Sequence, residues 1–151
     1  MRSYPFGTLV TAMVTPFDDD LALDLPAAAE LAVYLVEEMH NDALVISGTT
    51  GESPTTTWDE KSQLVRTVRE AVGDDVKLIA GAGAASTSQS VELAKRASDN
   101  GADAVLLVAP YYARPPQSGI IAHFETVADA TDLGVCMYDI PHRTGVPMTT
   151  D

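Results

Sequence analysis

Basic residues, cysteine and aromatics are all scarce in this chain of 151 residues, which holds 9 Lys and Arg, one Cys and only 6% Phe, Trp and Tyr. Against 22 Asp and Glu the formal charge is −13, and no basic run of the kind that neutralises phosphates is present. Nucleic acid is therefore not an expected partner, and the acidity reads as a solvated surface. The lone thiol, Cys136, excludes an intramolecular disulfide and fits a reducing compartment. Set in the apolar run Gly134–Tyr138, it reads as a small core residue rather than a nucleophile. No apolar stretch approaches the length of a membrane span, and Met1–Pro5 lacks the apolar core of a signal peptide, so the expectation is a cytoplasmic protein that engages no membrane. No cluster of His, Cys and carboxylates has the spacing of a metal site, so no metal and no other cofactor is implied. No linker, low-complexity segment or composition break divides residues 1–151, which read as part of a single domain.

What remains is an apolar share of 46% carried mainly by Ala, Val, Leu and Ile, a mixture suited to layered strands and helices. Five β-rich runs stand out: Thr8–Thr15, Ala43–Ser47, Val76–Ala80, Ala104–Val108 and Gly134–Tyr138. Four stretches between them have helical periodicity. The first covers Leu25–His40, with Asp24 placed to cap it and Pro26 in its first turn. The second opens on a capping box, Thr57-Trp58-Asp59-Glu60, ends at Gly73, and carries the apolar stripe Leu64, Val65, Val68, Ala71 and Val72. The third starts near Ser86 or Thr87, with Gln89 in capping-box position, and carries Val91, Ala94 and Ala97. The fourth holds Ile120, Ile121, Phe124, Val127 and Ala128.

Strand starts recur about every 30 residues, the length of one βαβ unit. Strands that are apolar almost throughout imply burial on both faces, and hence a parallel sheet, either doubly wound or a barrel. The only candidate dinucleotide loop, Gly81–Ser86, lacks a third glycine and does not follow the first strand; a tight turn explains it better. Polar clusters follow several strands at their C-terminal ends, where barrel enzymes place their sites. The expected fold is thus α/β, of the parallel (β/α)8 TIM-barrel class, with five strands and four helices of an incomplete barrel.

Three of those clusters carry possible chemistry. Gly48-Thr49-Thr50-Gly51-Glu52-Ser53 follows strand two; its glycines let backbone N–H groups approach a ligand, and its hydroxyls add donors. That suits a carboxylate, although the same residues would also make a turn with no ligand. Tyr138–Gly145 follows strand five, with Tyr138 directed into the mouth of the barrel and Arg143 able to pair with an acidic substrate. Pro110–Pro115 follows strand four; its paired tyrosines suit an interface or packing.

Together these segments, with Thr15-Pro16-Phe17 after strand one, resemble the dihydrodipicolinate synthase and N-acetylneuraminate lyase family of class I aldolase-like barrels. The double threonine and Arg143 resemble its synthase branch. The resemblance implies condensation of pyruvate with aspartate semialdehyde, a small aldehyde acid, in lysine and diaminopimelate biosynthesis. It further implies a proton relay of Thr49, Tyr138 and Tyr112, with Tyr112 reaching into a neighbouring subunit of a homo-oligomer. Thr50 would hold the pyruvate carboxylate, and Arg143 would meet the carboxylate of the second substrate. A hydroxyl chain is sensible chemistry for imine formation, which needs protons moved without a strong charge. A related lyase or aldolase acting on a sugar acid is the alternative within the family.

There are departures from the family pattern. The commonest third motif reads Tyr-Asn-Val-Pro-Ser-Arg-Thr-Gly, so Asp139 and His142 differ. Lysine-inhibited members carry asparagine and glutamate where this chain has Ala85 and Gln89, which implies weak or absent feedback by lysine. His142 reads as a solvated loop residue, His40 as favouring the negative end of helix one, and His123 as a surface or packing residue.

A class I mechanism needs an amine made nucleophilic by desolvation, and in this family it comes from strand six. The lysines here are Lys61, Lys77 and Lys95. Lys61 and Lys95 read as solvated charges on helices, and Lys77 lies at the bottom of strand three, opposite the site. A closed barrel takes about 250 residues. The expectation is therefore the N-terminal part of a barrel, inactive alone, in one of three settings: a fragment or truncated product, one partner of a separately made second half, or a non-catalytic binding or assembly subunit.

Overall fold

The structure, a computed structural model, describes residues 4–149. Strands β1 (Val10–Ala12), β2 (Ala43–Ile46), β3 (Lys77–Gly81), β4 (Ala104–Val108) and β5 (Gly134–Tyr138) form one sheet in the order β1-β2-β3-β4-β5, each neighbouring pair parallel. Helices α1 (Leu25–Glu37), α2 (Trp58–Val72), α3 (Thr87–Asp99) and α4 (Gln117–Ala128) fill the crossovers, and a single turn, α5 (Pro141–Thr144), follows β5. A doubly wound sheet reverses its strand order at a switch point, whereas a barrel wall runs on in sequence order. The order seen is that of a barrel wall.

Strand alternation divides the apolar residues between two faces. Leu44 and Ile46, Leu78 and Ala80, and Val105 and Leu107 point outward and pack against Ala28 and Ala32 of α1, Leu64, Val65 and Val68 of α2, Leu93 and Ala94 of α3, and Phe124 and Val127 of α4. Val45, Ile79 and Ala104 form a smaller inner cluster with Phe6, Leu106 and Cys136 beside it. Cys136 is thus a half-buried packing residue, and burial raises its pKa. On β5 the outward Met137 is 63% exposed.

Side-chain caps fix the starts of α1 and α2. Asp24 accepts from the Ala27 amide at 2.9 Å. The Thr57 box closes in both directions, with Glu60 N donating to Thr57 Oγ1 at 3.2 Å and Thr57 N to Glu60 Oε2 at 2.6 Å. The box expected at α3 does not form. Ser86 Oγ pairs with Ser88 Oγ instead, and Ser90 Oγ accepts from the Ala84 amide at 3.0 Å.

Other expectations also change. β1 is three residues long rather than spanning Thr8–Thr15, although Met13 N still donates to Val45 O at 3.0 Å. α1 ends at Glu37 because the Asn41 amide and side chain both donate to Leu35 O, which leaves His40 outside the last turn with φ +54°. His40 is not at the helix's negative end. In α4 Ile121 and Ala128 are exposed, and the buried stripe is Ile120, His123, Phe124 and Val127. His123 is a packing residue, 2% exposed. It stands edge-to-face with Phe124 at 5.6 Å, with Nδ1 2.9 Å from Thr87 Oγ1. Burial lowers its pKa against the opposing contact with the Val108 backbone.

At the N-terminal ends of the strands, Asp103 gathers the Arg69 guanidinium, Lys77 Nζ at 2.7 Å and the Leu78 amide at 2.9 Å. Arg69 also donates to Val76 O and Gly101 O. This clamp ties α2, β3 and β4 together at the end of the sheet opposite the polar loops.

Candidate active site

The loops that follow β2, β4 and β5 converge at the C-terminal ends of the strands around a cavity of about 390 Å³. Its wall is built from Ser47, Gly48, Thr49, Ser53 and Pro54 on one side and Tyr111, Tyr112, Tyr138, Ile140 and Arg143 on the other, over a floor containing Leu106 and Val108.

The β2 loop owes its shape to backbone contacts that the sequence permits. Ser47 and Glu52 both take left-handed conformations (φ +54° and +57°), so the chain folds back on itself, with Glu52 N donating to Thr49 O and Ser53 N to Gly48 O, each at 3.2 Å. Gly81, at the end of β3, makes room for that turn; a Cβ there would lie 2.0 Å from Ser47 O. A Cβ at Gly83 would lie 2.4 Å from Val108 Cγ1. Close packing, rather than a tight turn or a dinucleotide, explains these two glycines. The loop is held from two sides. Thr15 Oγ1, buried after β1, donates to Gly51 O at 2.7 Å. From α2, Lys61 Nζ donates to Ser53 O and to Thr56 O, each at 2.6 Å, and to Thr56 Oγ1.

Lys61 overturns an expectation. It is not a solvated charge but 8% exposed, and burial lowers its pKa to about 8 against a small opposing effect of Glu60. The sequence carried the signal. Lys61 lies three, four and seven residues before Leu64, Val65 and Val68, on the buried stripe of α2. Lys95 is exposed, as expected. Lys77 is bound to Asp103 at the far end of β3. Neither of these lysines nor Lys61 lines the cavity.

Of the five residues singled out in the sequence, Thr49, Tyr112, Tyr138 and Arg143 line this one cavity. Thr50 is exposed beside it and is not part of the wall. Among the described residues no hydrogen bond joins the hydroxyls of Thr49, Tyr112 and Tyr138. Tyr112 is 94% exposed, in a left-handed conformation with φ +69°. Arg143 sits in α5, a helical turn rather than an open loop; Pro141 starts the turn and Gly145, at φ +78°, ends it. Thr144 Oγ1 donates to Val146 O at 2.8 Å and pins that turn from within. Asp139, which departs from the family motif, accepts from the Met148 amide at 3.1 Å and so has a structural partner. His142 lies in the same helical turn rather than in a loop, and is exposed as expected.

The charge of the wall is the reverse of that of the chain. On a protein of formal charge −13 the cavity is lined, among the described residues, by no carboxylate and by one cation, Arg143. Backbone amides, threonine and serine hydroxyls and three phenols supply the other polar groups. Such a wall favours an anionic ligand with oxygen acceptors, which would accept from these donors without facing a like charge.

The model of the dihydrodipicolinate synthetase family matches residues 5–151. The 4-hydroxy-tetrahydrodipicolinate synthase of Acidothermus cellulolyticus is 59% identical over 145 residues, covering 96% of this chain and 47% of that protein. Among solved structures, dihydrodipicolinate synthase from Bacillus anthracis superposes with a TM-score of 0.93 at 44% identity, over 97% of this chain and 50% of the other. The enzyme from Cyanidioschyzon merolae with lysine bound gives 0.92 at 46% identity, over 95% and 49%. The chain spans about half the length of the curated relatives it matches.

Proposed function

The chain belongs to the dihydrodipicolinate synthetase family, and from that premise we propose that it supplies the keto-acid site of a Schiff-base synthase that condenses pyruvate with aspartate semialdehyde. One observation carries the proposal: a cavity without carboxylates, at the C-terminal ends of β2, β4 and β5, gathers Thr49, Tyr138, Tyr112 and Arg143. The Gly48–Ser53 loop, including Thr50, takes the pyruvate carboxylate on its amides and hydroxyls. Arg143, at the cavity wall, takes the carboxylate of the aldehyde acid, a role that suits a guanidinium better than recognition of a neutral sugar chain would.

The reaction has three proton-dependent stages. A primary amine adds to the pyruvate carbonyl and expels its oxygen as water, giving an imine. Loss of a proton from the pyruvate methyl gives the enamine, whose carbon attacks the aldehyde. Each stage moves a proton to or from an oxygen, nitrogen or carbon next to the cavity wall. Phenols and a threonine hydroxyl can pass protons there without placing a fixed charge beside the carboxylate. Thr49 and Tyr138 form the relay, and the outward Tyr112 completes it for a neighbouring subunit of a homo-oligomer.

The amine itself comes from outside these residues. Lys61 is committed to the loop carbonyls, Lys77 to Asp103, and Lys95 faces solvent. The chain alone therefore binds pyruvate without forming the imine. Borohydride reduction with pyruvate, read by intact mass, tests this: the chain alone should keep its mass. A pyruvyl adduct on this chain would overturn the assignment of the amine. Failure of isotopically labelled pyruvate to shift the Gly48–Ser53 amide resonances would overturn the site.

A further inference from the structure

We propose that Lys61 is a positioning residue for the keto-acid site, its ammonium group setting the shape of the Gly48–Thr56 loop and through it the affinity for the keto-acid carboxylate; this rests on the function proposed above. Lys61 does not itself line the cavity. Its Nζ reaches Ser53 O and Thr56 O at 2.6 Å and Thr56 Oγ1 beside them. Ser53 is the residue whose amide closes the loop onto Gly48 O, and Ser53 and Pro54 share the cavity wall with Gly48 and Thr49. The grip on Ser53 O thus fixes the far end of the segment whose near end carries Thr49. Thr15 holds only the middle, at Gly51 O.

An ammonium is suited to this work because it has three N–H donors and here meets three acceptors. The neutral amine has two donors and a lone pair. On losing its proton Lys61 keeps a donor for each carbonyl and turns its lone pair to Thr56 Oγ1, whose hydroxyl must then give up Ser53 O, to which it donates at 3.3 Å, in order to donate to the amine. Beneath the loop lies a small void of about 10 Å³ lined by Lys61, Gly81 and Ser47, whose buried Oγ has no partner. A void of that size has no room for a water that could make good a lost contact, so loss of the proton is felt by the loop. Burial has already brought the pKa down to about 8. The titratable groups facing the amine are few: Glu60 on the same helix and Arg96 of α3, which shares the void and is itself paired with Asp59 and Glu92.

The test compares wild type with Lys61→Met and Lys61→Arg by pyruvate titration from pH 6.5 to 9.5 and by amide hydrogen exchange of Gly51, Glu52 and Ser53 (the pH values being about one and a half units either side of the titration). Wild-type affinity should be level below pH 8 and fall above it as the ammonium is lost. Lys61→Met should bind about tenfold more weakly at pH 7, with no fall across pH 8, and Lys61→Arg should keep the affinity level throughout. Loop amides should exchange about tenfold faster in Lys61→Met, with core amides of β3 and β4 unchanged. Affinity in Lys61→Met within twofold of wild type, or a fall above pH 8 that persists in it, would overturn the proposal. If wild type binds no pyruvate, the keto-acid reading fails, and the exchange rates still decide the structural half. Faster exchange confined to the loop supports Lys61 as its anchor, and unchanged exchange refutes it.

Discussion

Replacing Gly81 by alanine adds one methyl group at the point where β3 passes beneath the first turn of the keto-acid loop. The new Cβ would lie 2.0 Å from Ser47 O, 2.8 Å from Ser47 C and 3.3 Å from Gly48 N. All three atoms are backbone, so no side chain can rotate away, and Ser47 must retreat by about 1 Å to restore a tolerable contact. Overpacking of this kind costs about 3 kcal/mol when backbone has to move. For a chain of this size that lowers the melting temperature by roughly 6–12 °C. The same displacement moves Gly48 and Thr49. A 1 Å error in a positioning group costs on the order of 10²-fold in turnover, so the competent enzyme should lose that much activity and pyruvate affinity should fall with it. Gly73→Ala is the control for binding, because nothing lies within 4 Å of its Cβ and its backbone alone carries the penalty. At φ +72° and ψ −172° it occupies a region kept for glycine, so that variant should lose about 1–3 kcal/mol and still bind pyruvate normally. Thermal melts and pyruvate titration of both variants decide the matter. The reasoning fails if Gly81→Ala binds or melts like wild type.

Asp103→Asn should destabilise the chain by about 1–2 kcal/mol in urea unfolding at neutral pH, with the exposure of the site reducing the full value of its bonds. Burial alone would raise the pKa of Asp103, but the Lys77 hydrogen bond, the Leu78 amide and Arg69 together hold it below 3.8. Its contribution is therefore complete above that unfolded-state value and is lost as pH falls through the folded one. The gap between variant and wild type should close with acid, and a gap that stays constant would refute the linkage. Tyr138→Phe and Tyr112→Phe should each slow turnover of the competent enzyme by about 10²-fold or more while leaving pyruvate binding intact; unchanged turnover would remove the residue from the relay. Lysine should inhibit weakly or not at all, since Ala85 and Gln89 replace the asparagine and glutamate of the inhibited pattern. Inhibition at low millimolar lysine would contradict that expectation.

Periodicity and caps made most of the fold legible before any coordinates. Four of the five strands are found within a residue or two of where the continuous apolar runs place them, and the Thr57–Glu60 box starts α2 where it should. Failures fall where a side chain reaches across a turn to a residue six positions away. Asn41 ends α1 by reaching back to Leu35, and Ser90 replaces Ser86 as partner of the turn before α3. In the site, Thr49, Tyr112, Tyr138 and Arg143 were legible because each follows a strand and each bears a hydroxyl or charge. Ser47 was not, because its place in the wall comes from a left-handed backbone that exists only with β3 packed against it. Lys61 was misread through its charge. Position on the apolar stripe, rather than residue type, was the better guide.

The two tethers of the keto-acid loop have a consequence for biosynthesis of the chain. Thr15, the loop and Lys61 all lie within the first 61 residues, and the tethers span 36 and at most 8 positions. Ribosomes deliver the N-terminal part first, and short-range closures cost little chain entropy. The loop's fastenings are thus synthesised before β4 and β5 exist, and the bed supplied by Gly81 arrives only some twenty residues later. Until β3 is made, the chain holds the residues of both tethers but lacks the bed against which Ser47 turns, so the loop can take its final shape only once Gly81 is in place.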